Sequence, residues 1–305
     1  MIKTSKKLLA LVISLQLLYS LFSCALGEQS LWNCPDCGRT GNKGNYCGGC
    51  GHPSSWIEGN QSIEQNQGKD VLYSYELLPD GTAMITGYTG KESQIILPAT
   101  LEGHKVTRIG NRAFLNCKRL TSVTISNNVT RIENFAFSGC VNLSSIMIPD
   151  SVDSIGSNAF SGCASLTSIL LPNNVTSIWD ATFSGCTNLT SITMPNSIIR
   201  IGDYAFSRCT SVTNITIPNS VTDIGFSAFS GCASLTSVMI PDSVTNIGYN
   251  AFSDCSNLTS VTILGRTTRI ENNVFSNCYN LTVTTTQGSY AEQYCKENSI
   301  PFKYK

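Results

Sequence analysis

Residues 143–165 read LSSIMIPDSVDSIGSNAFSGCAS, and the same pattern returns at residues 235–257 as LTSVMIPDSVTNIGYNAFSDCSN. Cysteine recurs every 23 residues from Cys117 to Cys278, and phenylalanine keeps the same step from Phe114 to Phe275. A fixed period of about 20 to 50 residues is the sequence signature of a protein built from stacked structural repeats. The sequence therefore predicts a repeat solenoid.

Each 23-residue unit alternates like a β-strand near its start. In residues 143–165, Ile146 and Ile148 alternate with Ser145 and Met147, and the following proline ends the strand because it cannot donate to a β-ladder. Stacking one unit on the next, about 4.8 Å apart, would pair these strands in parallel and cover the apolar faces. We therefore expect a mainly β, parallel-strand stack. Short arcs should close each coil through further apolar residues, namely Val152, Ile155, Ala159, Phe160 and Cys163.

The repeated pattern L-x-x-I-x-I-P…V-x-x-I-G…A-F-x-x-C closely resembles that of the BspA-like leucine-rich repeat family. The resemblance covers the predicted solenoid, residues 71–305, and the pattern is highly specific. It implies a leucine-rich-repeat-type fold. Members of that family are typically cell-surface or secreted proteins implicated in adhesion and in binding host proteins, so the resemblance implies such a role for this chain.

Both ends of the predicted solenoid carry patterns that can cap an open stack. Residues 72–88 alternate around the turn sequence Pro-Asp-Gly at 79–81, which predicts a β-hairpin as the N-terminal cap. Near the other end, Ser289 and Glu292 have the spacing of a capping box, which marks the start of a helix. We expect this short helix to cover the last coil.

Residues 1–27 have the features of a secretory signal peptide. Three lysines within residues 3–7 precede an apolar run, residues 8–18, which is too short to cross a hydrocarbon core of roughly 30 Å as a helix. Two cleavage sites remain open. The sequence LFSC resembles a bacterial lipobox and would place a lipid on Cys24, whereas ALG fits ordinary cleavage before Glu28. Both predict an exported protein, at the cell surface or secreted.

A short segment at residues 30–53 carries two C-x-x-C pairs, formed by Cys34 with Cys37 and by Cys47 with Cys50. Two such turns supply the four thiolates of a closed, structural Zn²⁺ site, and the segment resembles a zinc ribbon. One bound zinc ion would then provide the folding free energy of a segment too small for a core. Two disulfides are the alternative, because an exported chain meets oxidising conditions. The polar residues 54–70 read as a linker.

The charge balance and the scarcity of reactive side chains narrow the functional classes. Lysine plus arginine and aspartate plus glutamate are equal at 20 each, so the surface should not attract nucleic acid or anionic lipid. A lipid on Cys24 would be the sole attachment to a membrane. The chain has two histidines, His52 and His104, and no recognisable nucleophile motif, so we expect a protein that is not an enzyme. The repeat cysteines fit buried, free thiols.

Alternation along the first strand of each unit identifies the residues that should point away from the core. They form an uncharged row in which small polar residues flank exposed apolar ones, and successive coils should join them into one sheet. We expect this row to bind an extracellular protein or another cell-surface ligand. A structural, envelope-associated scaffold without a specific ligand is the alternative. The predicted row consists of Ser145, Met147, Ser168, Leu170, Ser191, Thr193, Asn214, Thr216, Ser237 and Met239, and it continues with Ser260 and Thr262.

Overall fold

The chain divides into two compact units, Met1–Gln67 and Gly68–Lys305. The structure is a computed structural model that describes the backbone of residues 32–33 and 40–41 and all atoms of residues 72–265 and 267–305. In the first unit, β1 (Trp32–Asn33) and β2 (Thr40–Gly41) pair antiparallel. The predicted signal peptide, the four predicted zinc ligands and the predicted linker lie outside the described residues.

The second unit opens with an antiparallel hairpin of β3 (Tyr73–Leu77) and β4 (Ala83–Tyr88), which confirms the predicted N-terminal cap. Gly81 has a φ of 77° in its turn, where a side chain would be strained. The remaining elements are β5 (Gln94–Ile96), β6 (Thr100–Leu101), β7 (His104–Ile109), β8 (Ser122–Thr124), β9 (Arg131–Ile132), β10 (Ser145–Met147), β11 (Ser154–Ile155), β12 (Ser168–Leu170), β13 (Ser177–Ile178), β14 (Ser191–Thr193), β15 (Arg200–Ile201), β16 (Asn214–Thr216), β17 (Asp223–Ile224), β18 (Ser237–Ile240), β19 (Asn246–Ile247), β20 (Ser260–Ile263), β21 (Arg269–Ile270), β22 (Thr282–Thr285), α1 (Tyr290–Glu297) and β23 (Phe302–Tyr304).

Two rows of short parallel strands run along this unit, as the 23-residue period predicts. The front strands are β5, β8, β10, β12, β14, β16, β18, β20 and β22, and the back strands are β7, β9, β11, β13, β15, β17, β19 and β21. Within each sheet the register advances by one repeat at each step, so that Ser145 pairs with Ser122 at the front and Ile155 pairs with Ile132 at the back. The prediction of one continuous front sheet is wrong, because the ladder is interrupted between β10 and β12 and between β14 and β16, which leaves three front sheets. The back row is interrupted once, between β11 and β13. The second unit is therefore a mainly β, parallel-strand solenoid, and its described residues include one short helix near the C-terminus.

The core is a stack of phenylalanine rings, one in each coil. All rings from Phe114 to Phe252 are completely buried, and adjacent ring centroids from Phe114 to Phe275 are 4.9 to 5.8 Å apart. Tyr88 of the hairpin extends this stack at one end, with its ring centroid 5.4 Å from that of Phe114. Tyr294 of α1 extends it at the other end, 6.2 Å from Phe275. Both caps therefore cover the open stack with an aromatic ring.

The repeat cysteines are free thiols inside the stack, as the sequence predicts. From Cys140 to Cys278, each Sγ–H donates to the carbonyl oxygen of the phenylalanine 26 residues earlier, at 3.0 to 3.3 Å. Burial raises the pKa of Cys186 and Cys232 to about 12. These thiols therefore stay protonated near neutral pH and tie each coil to the one before it.

Two backbone positions in every coil lie in the left-handed region, and at the first of them φ is between 50° and 60°. Asparagine tolerates this conformation, whereas other residues with a Cβ lose roughly 1 to 2 kcal/mol there. The repeat thus imposes a left-handed turn even where the residue disfavours it. The residues at the first position are Arg112, Phe135, Asn158, Ala181, Tyr204, Ser227, Asn250 and Asn273.

The C-terminal cap is held by the carboxylate of Glu292. The Ser289 hydroxyl accepts a hydrogen bond from the Glu292 amide at 3.1 Å, as the capping-box spacing predicts. The Glu292 carboxylate, however, accepts from the Gly288 amide and not from that of Ser289. It also accepts from Lys296 and, at 2.8 Å, from the Tyr304 hydroxyl. The bonds from Lys296, Gly288 and Tyr304 lower the pKa of Glu292 to about 2.

Candidate binding surface

Of the twelve residues predicted to form the binding row, eleven are exposed and Thr262 is half-buried. Each strand that carries them alternates exposed side chains with buried or half-buried ones, because the pleat turns successive residues to opposite faces. The structure brings them together on one face, which we call the front face and define as the outward residues of front strands β5 to β20. The predicted residues on it are Ser145, Met147, Ser168, Leu170, Ser191, Thr193, Asn214, Thr216, Ser237, Met239, Ser260 and Thr262.

Parallel register arranges the front face in two columns along the solenoid. Met147 pairs with Thr124 of the coil before it, and Met239 pairs with Thr216 on one side and Thr262 on the other. The other column is mainly serine, where the Ser145 hydroxyl donates to that of Ser122 at 3.2 Å. Small hydroxyl groups therefore run beside a column in which large apolar side chains recur.

Four large apolar side chains stand out from the front face. Met147, Leu170 and Met239 are 65%, 67% and 67% exposed, and Ile96 on β5 is 76% exposed. Ile96 pairs with Thr124 and so belongs to the same column, although the sequence did not assign it to the binding row. A signal was present, because Ile96 precedes Leu97-Pro98 as Met147 precedes Ile148-Pro149. The longer first unit obscured this alignment.

A second row of hydroxyl groups lies just before the front strands and links neighbouring coils by hydrogen bonds. The residue just before each front strand often donates its hydroxyl to a backbone carbonyl of the preceding coil, at 3.0 to 3.3 Å. These hydrogen bonds hold the start of each front strand in place, and their donors are not the outward residues of the strands. The donors are Thr121, Ser144, Thr190, Thr236 and Thr259.

Charged side chains lie away from the front face. The outward columns contain only uncharged residues from Gln94 and Ile96 on β5 to Thr282 and Thr284 on β22. The back strands differ, because their outward residues are polar or charged. Arg131 on β9, for example, is exposed. A ligand of the front face would therefore meet hydroxyl, methyl and thioether groups, without an ion pair.

The described residues show neither a metal centre nor a reactive thiolate. Within residues 72–265 and 267–305, no group of three or more histidine, cysteine, aspartate or glutamate side chains could hold a metal ion. Across the same residues, no helix is long and apolar enough to cross a membrane. Burial raises the pKa of the half-buried Cys278 to about 11, which disfavours a nucleophilic role. Cys24, Cys34, Cys37, Cys47 and Cys50 lie outside the described residues.

The chain belongs to the BspA-type leucine-rich repeat family. The BspA type leucine-rich repeat region matches in six copies, over residues 91–209 and 177–300. Leucine-rich repeat proteins are scaffolds for protein–protein interaction, and the solenoid is of a non-enzymatic scaffold type. The resemblance inferred from the repeat is therefore confirmed.

One solved structure of a leucine-rich repeat protein shares this fold, and two further structures match with lower TM-scores. The T. pallidum protein TpLRR is 26% identical, with a TM-score of 0.54 over 77% of this chain and 97% of that chain. A leucine-rich cell surface protein of Faecalibacterium prausnitzii is 25% identical over the same shares, with a TM-score of 0.38. The pneumococcal vaccine antigen PcpA is 14% identical, with a TM-score of 0.36 over 76% of this chain and 96% of that chain. A comparison with curated proteins gives no match.

Proposed function

We propose that this protein is an exported binding protein, at the cell surface or secreted, that holds an extracellular protein on its front face. The observation that carries the proposal is the uncharged front face, formed by three successive parallel sheets, from which Ile96, Met147, Leu170 and Met239 project. Flexible thioether side chains adapt their shape to a partner at low cost. Met147 and Leu170 lie in adjacent coils, and neighbouring exposed apolar side chains are a feature of interaction surfaces.

The rigidity of the solenoid favours binding without rearrangement. Serine and threonine lose little side-chain entropy when a partner orders them, and the coil-to-coil hydrogen bonds already fix the backbone. The free energy of association would come mainly from burying the four apolar side chains. Because no ion pair forms, the affinity should depend weakly on salt.

The test combines partner capture with a charge-introducing variant. The mature protein is immobilised, extracellular proteins are offered at about 0.1 and 0.5 M salt, and the bound protein is identified. Met147→Lys, Leu170→Lys and Met239→Lys are then combined, and binding and thermal stability are measured together. We expect similar capture at both salt concentrations, loss of binding in the triple variant and an unchanged melting temperature.

A matched variant places three lysines at exposed back positions, Thr176, Thr245 and Thr268. This control should bind as well as the unmodified chain. Loss of binding in the control alone would move the site to the back of the solenoid. Self-association of the pure protein, without any captured partner, would favour the alternative of a structural scaffold.

Export is supported by the N-terminal pattern and is compatible with the buried thiols. A lipid on Cys24 would anchor the protein, whereas cleavage before Glu28 would release it. The buried repeat cysteines, such as Cys163 and Cys209, have pKa values raised by burial, so they resist oxidation outside the cell. Fractionation of cells and sequencing of the mature N-terminus test this point. A cytoplasmic protein that retains Met1 would contradict it.

We further propose one structural Zn²⁺ bound by Cys34, Cys37, Cys47 and Cys50. The support is the doubled C-x-x-C spacing, together with the paired strands β1 and β2, which flank the first cysteine pair in the sequence. Metal analysis of the purified mature protein should give one zinc per chain. A zinc-free protein with two disulfides mapped across these four positions would establish the alternative.

A further inference from the structure

Four aromatic side chains lie at the turns that follow the back strands β13, β15, β17 and β19, one in each of four successive coils. They are Trp179, Tyr204, Phe226 and Tyr249, and we call them the aromatic edge. Trp179, Tyr204 and Tyr249 are 42%, 44% and 43% exposed, and Phe226 is half-buried. The rings of Tyr204 and Phe226 meet edge to face, with centroids 5.0 Å apart.

The fold does not require aromatic residues at these positions. Trp179 occupies a place that is glycine in the coil before it and in the three coils after it. Phe226 and Tyr249 replace the serine, asparagine or aspartate that the earlier coils have at the same place. Outside these four coils, a ring occupies one of these places only at Phe135, so most coils close without one. Packing of the solenoid therefore does not explain four rings in successive coils.

Tyr204 also occupies the left-handed backbone position, with a φ of 56°. Equivalent coils place Asn158 and Asn250 there, and asparagine tolerates this backbone better than tyrosine does. A bulky side chain at positive φ that remains exposed adds strain without adding core packing. Because the repeat imposes this backbone in every coil, as at Arg112 and Phe135, the strain itself does not distinguish Tyr204, whereas the 44% exposure of its side chain leaves the ring open to a ligand.

Two ordered carboxylates lie within the aromatic edge. Asp180 Oδ1 accepts a hydrogen bond from the Asp203 amide at 3.0 Å, and Asp203 Oδ1 accepts from the Phe226 amide at 2.8 Å. These bonds fix both carboxylates, and among the described residues Oδ2 of each remains available to an external hydroxyl. Fixed acceptors beside aromatic faces match the hydroxyl edge and the C–H face of a pyranose ring.

We propose that the aromatic edge binds a neutral, β-1,4-linked oligosaccharide of hexoses, with its chain running along the solenoid axis. One coil advances by about the spacing of the stacked phenylalanine rings, 4.9 to 5.8 Å, which is close to the length of one hexose in such an extended chain. Successive sugars can therefore meet successive aromatic residues. The Asp180 and Asp203 carboxylates accept hydroxyl protons and would repel a sulfated or uronic sugar.

The test uses hexasaccharides and the mature full chain. β-1,4-Linked hexamers of glucose, N-acetylglucosamine and mannose are titrated calorimetrically, with a heparin hexasaccharide as the anionic comparison. We expect at least one neutral hexamer to bind and the heparin hexamer not to bind. Combining Trp179→Gly with Tyr204→Asn restores residues that other coils already use, so the melting temperature should not fall. Binding should weaken by roughly tenfold or more, because two rings are lost.

Two control variants separate this site from other surfaces. Tyr279→Asn removes an aromatic ring that is 83% exposed in the last coil, and it should leave the titration unchanged. The triple lysine variant of the front face should also bind the hexasaccharide normally, which distinguishes this proposal from the proposed function. The proposal is overturned if none of the neutral hexamers binds, if only the heparin hexamer binds, or if the Trp179 and Tyr204 variant binds undiminished.

Discussion

The rings of Phe160 and Phe183 lie face to face, with centroids 5.6 Å apart and planes inclined by 2°. The two residues are separated by 23 positions, so the same contact recurs along the solenoid. Each ring lacks solvent contact on both faces because the neighbouring coils supply the next rings. The stack is therefore continuous, and a gap in its middle should affect two interfaces at once.

Replacing Phe160 by alanine should lower the free energy of unfolding by about 3 to 5 kcal/mol. The reason is the cavity left between Phe137 and Phe183, in addition to the apolar surface that is no longer buried. Chemical denaturation of the purified solenoid gives the value. Tyr279→Ala, at an exposed ring, is the control and should change stability by less than about 0.5 kcal/mol. A similarly small effect at Phe160 would contradict the buried stack.

Ala181→Asn should stabilise the protein by roughly 1 kcal/mol, because alanine is strained at its φ of 52°. Asparagine already occupies this position at Asn158, Asn250 and Asn273. The reverse change, Asn158→Ala, should destabilise by a similar amount. Urea unfolding of both variants measures the two differences. Equal stability of all three proteins would mean that the left-handed turn imposes no strain at this position.

The repeat thiols should differ sharply in their reaction with iodoacetamide. Cys117 and Cys278 are half-buried and should be labelled first in the folded protein at pH 7.5. Cys186 and Cys232 are buried, with pKa values near 12, so they should react only after unfolding in urea. Mass spectrometry of peptides gives the labelled positions. Labelling of Cys186 as fast as Cys117 in the folded protein would contradict the packing of the stack.

Glu292 should make the C-terminal cap sensitive to acid. Its pKa is about 2 in the folded protein, below an ordinary value of 4.5. A lowered folded pKa means that the carboxylate stabilises the fold above pH 4.5 and that this contribution is lost as the pH falls towards 2. The Glu292→Gln variant lacks this stabilising contribution at every pH. The stability gap between the two proteins in urea should therefore narrow from pH 6 to pH 2, and a constant gap would contradict the prediction.

The 23-residue period was sufficient to predict the solenoid, its parallel strands and the outward position of Met147 and Leu170. Sequence reasoning reached these features because stacking repeats the same contact many times. It did not reach the extension of the phenylalanine stack by Tyr88 and Tyr294, because both belong to caps that lie outside the repeat. The hydrogen bond from the Tyr304 hydroxyl to the Glu292 carboxylate was not predicted for the same reason, because it depends on the path of the chain after α1.

Sequence reasoning did not predict the aromatic edge, because its members do not share one place in the repeat. Trp179, Phe226 and Tyr204 occupy three neighbouring places, and none of these three places is aromatic in most of the aligned units. They lie near one another because all three places fall in the turn after a back strand. Strain at Tyr204 was likewise invisible, since φ depends on the backbone that the neighbouring coils impose.

Position-resolved crosslinking tests binding at the front face most directly. A photo-reactive benzophenone amino acid is placed at Leu170 on the front face and, in a second protein, at the exposed Asp153 on the back side. Each protein is irradiated with the captured extracellular partner, and the crosslinked product is identified by mass spectrometry. We predict a crosslink to the partner from position 170 and none from position 153. A crosslink from position 153 without one from position 170 would contradict the assignment of binding to the front face.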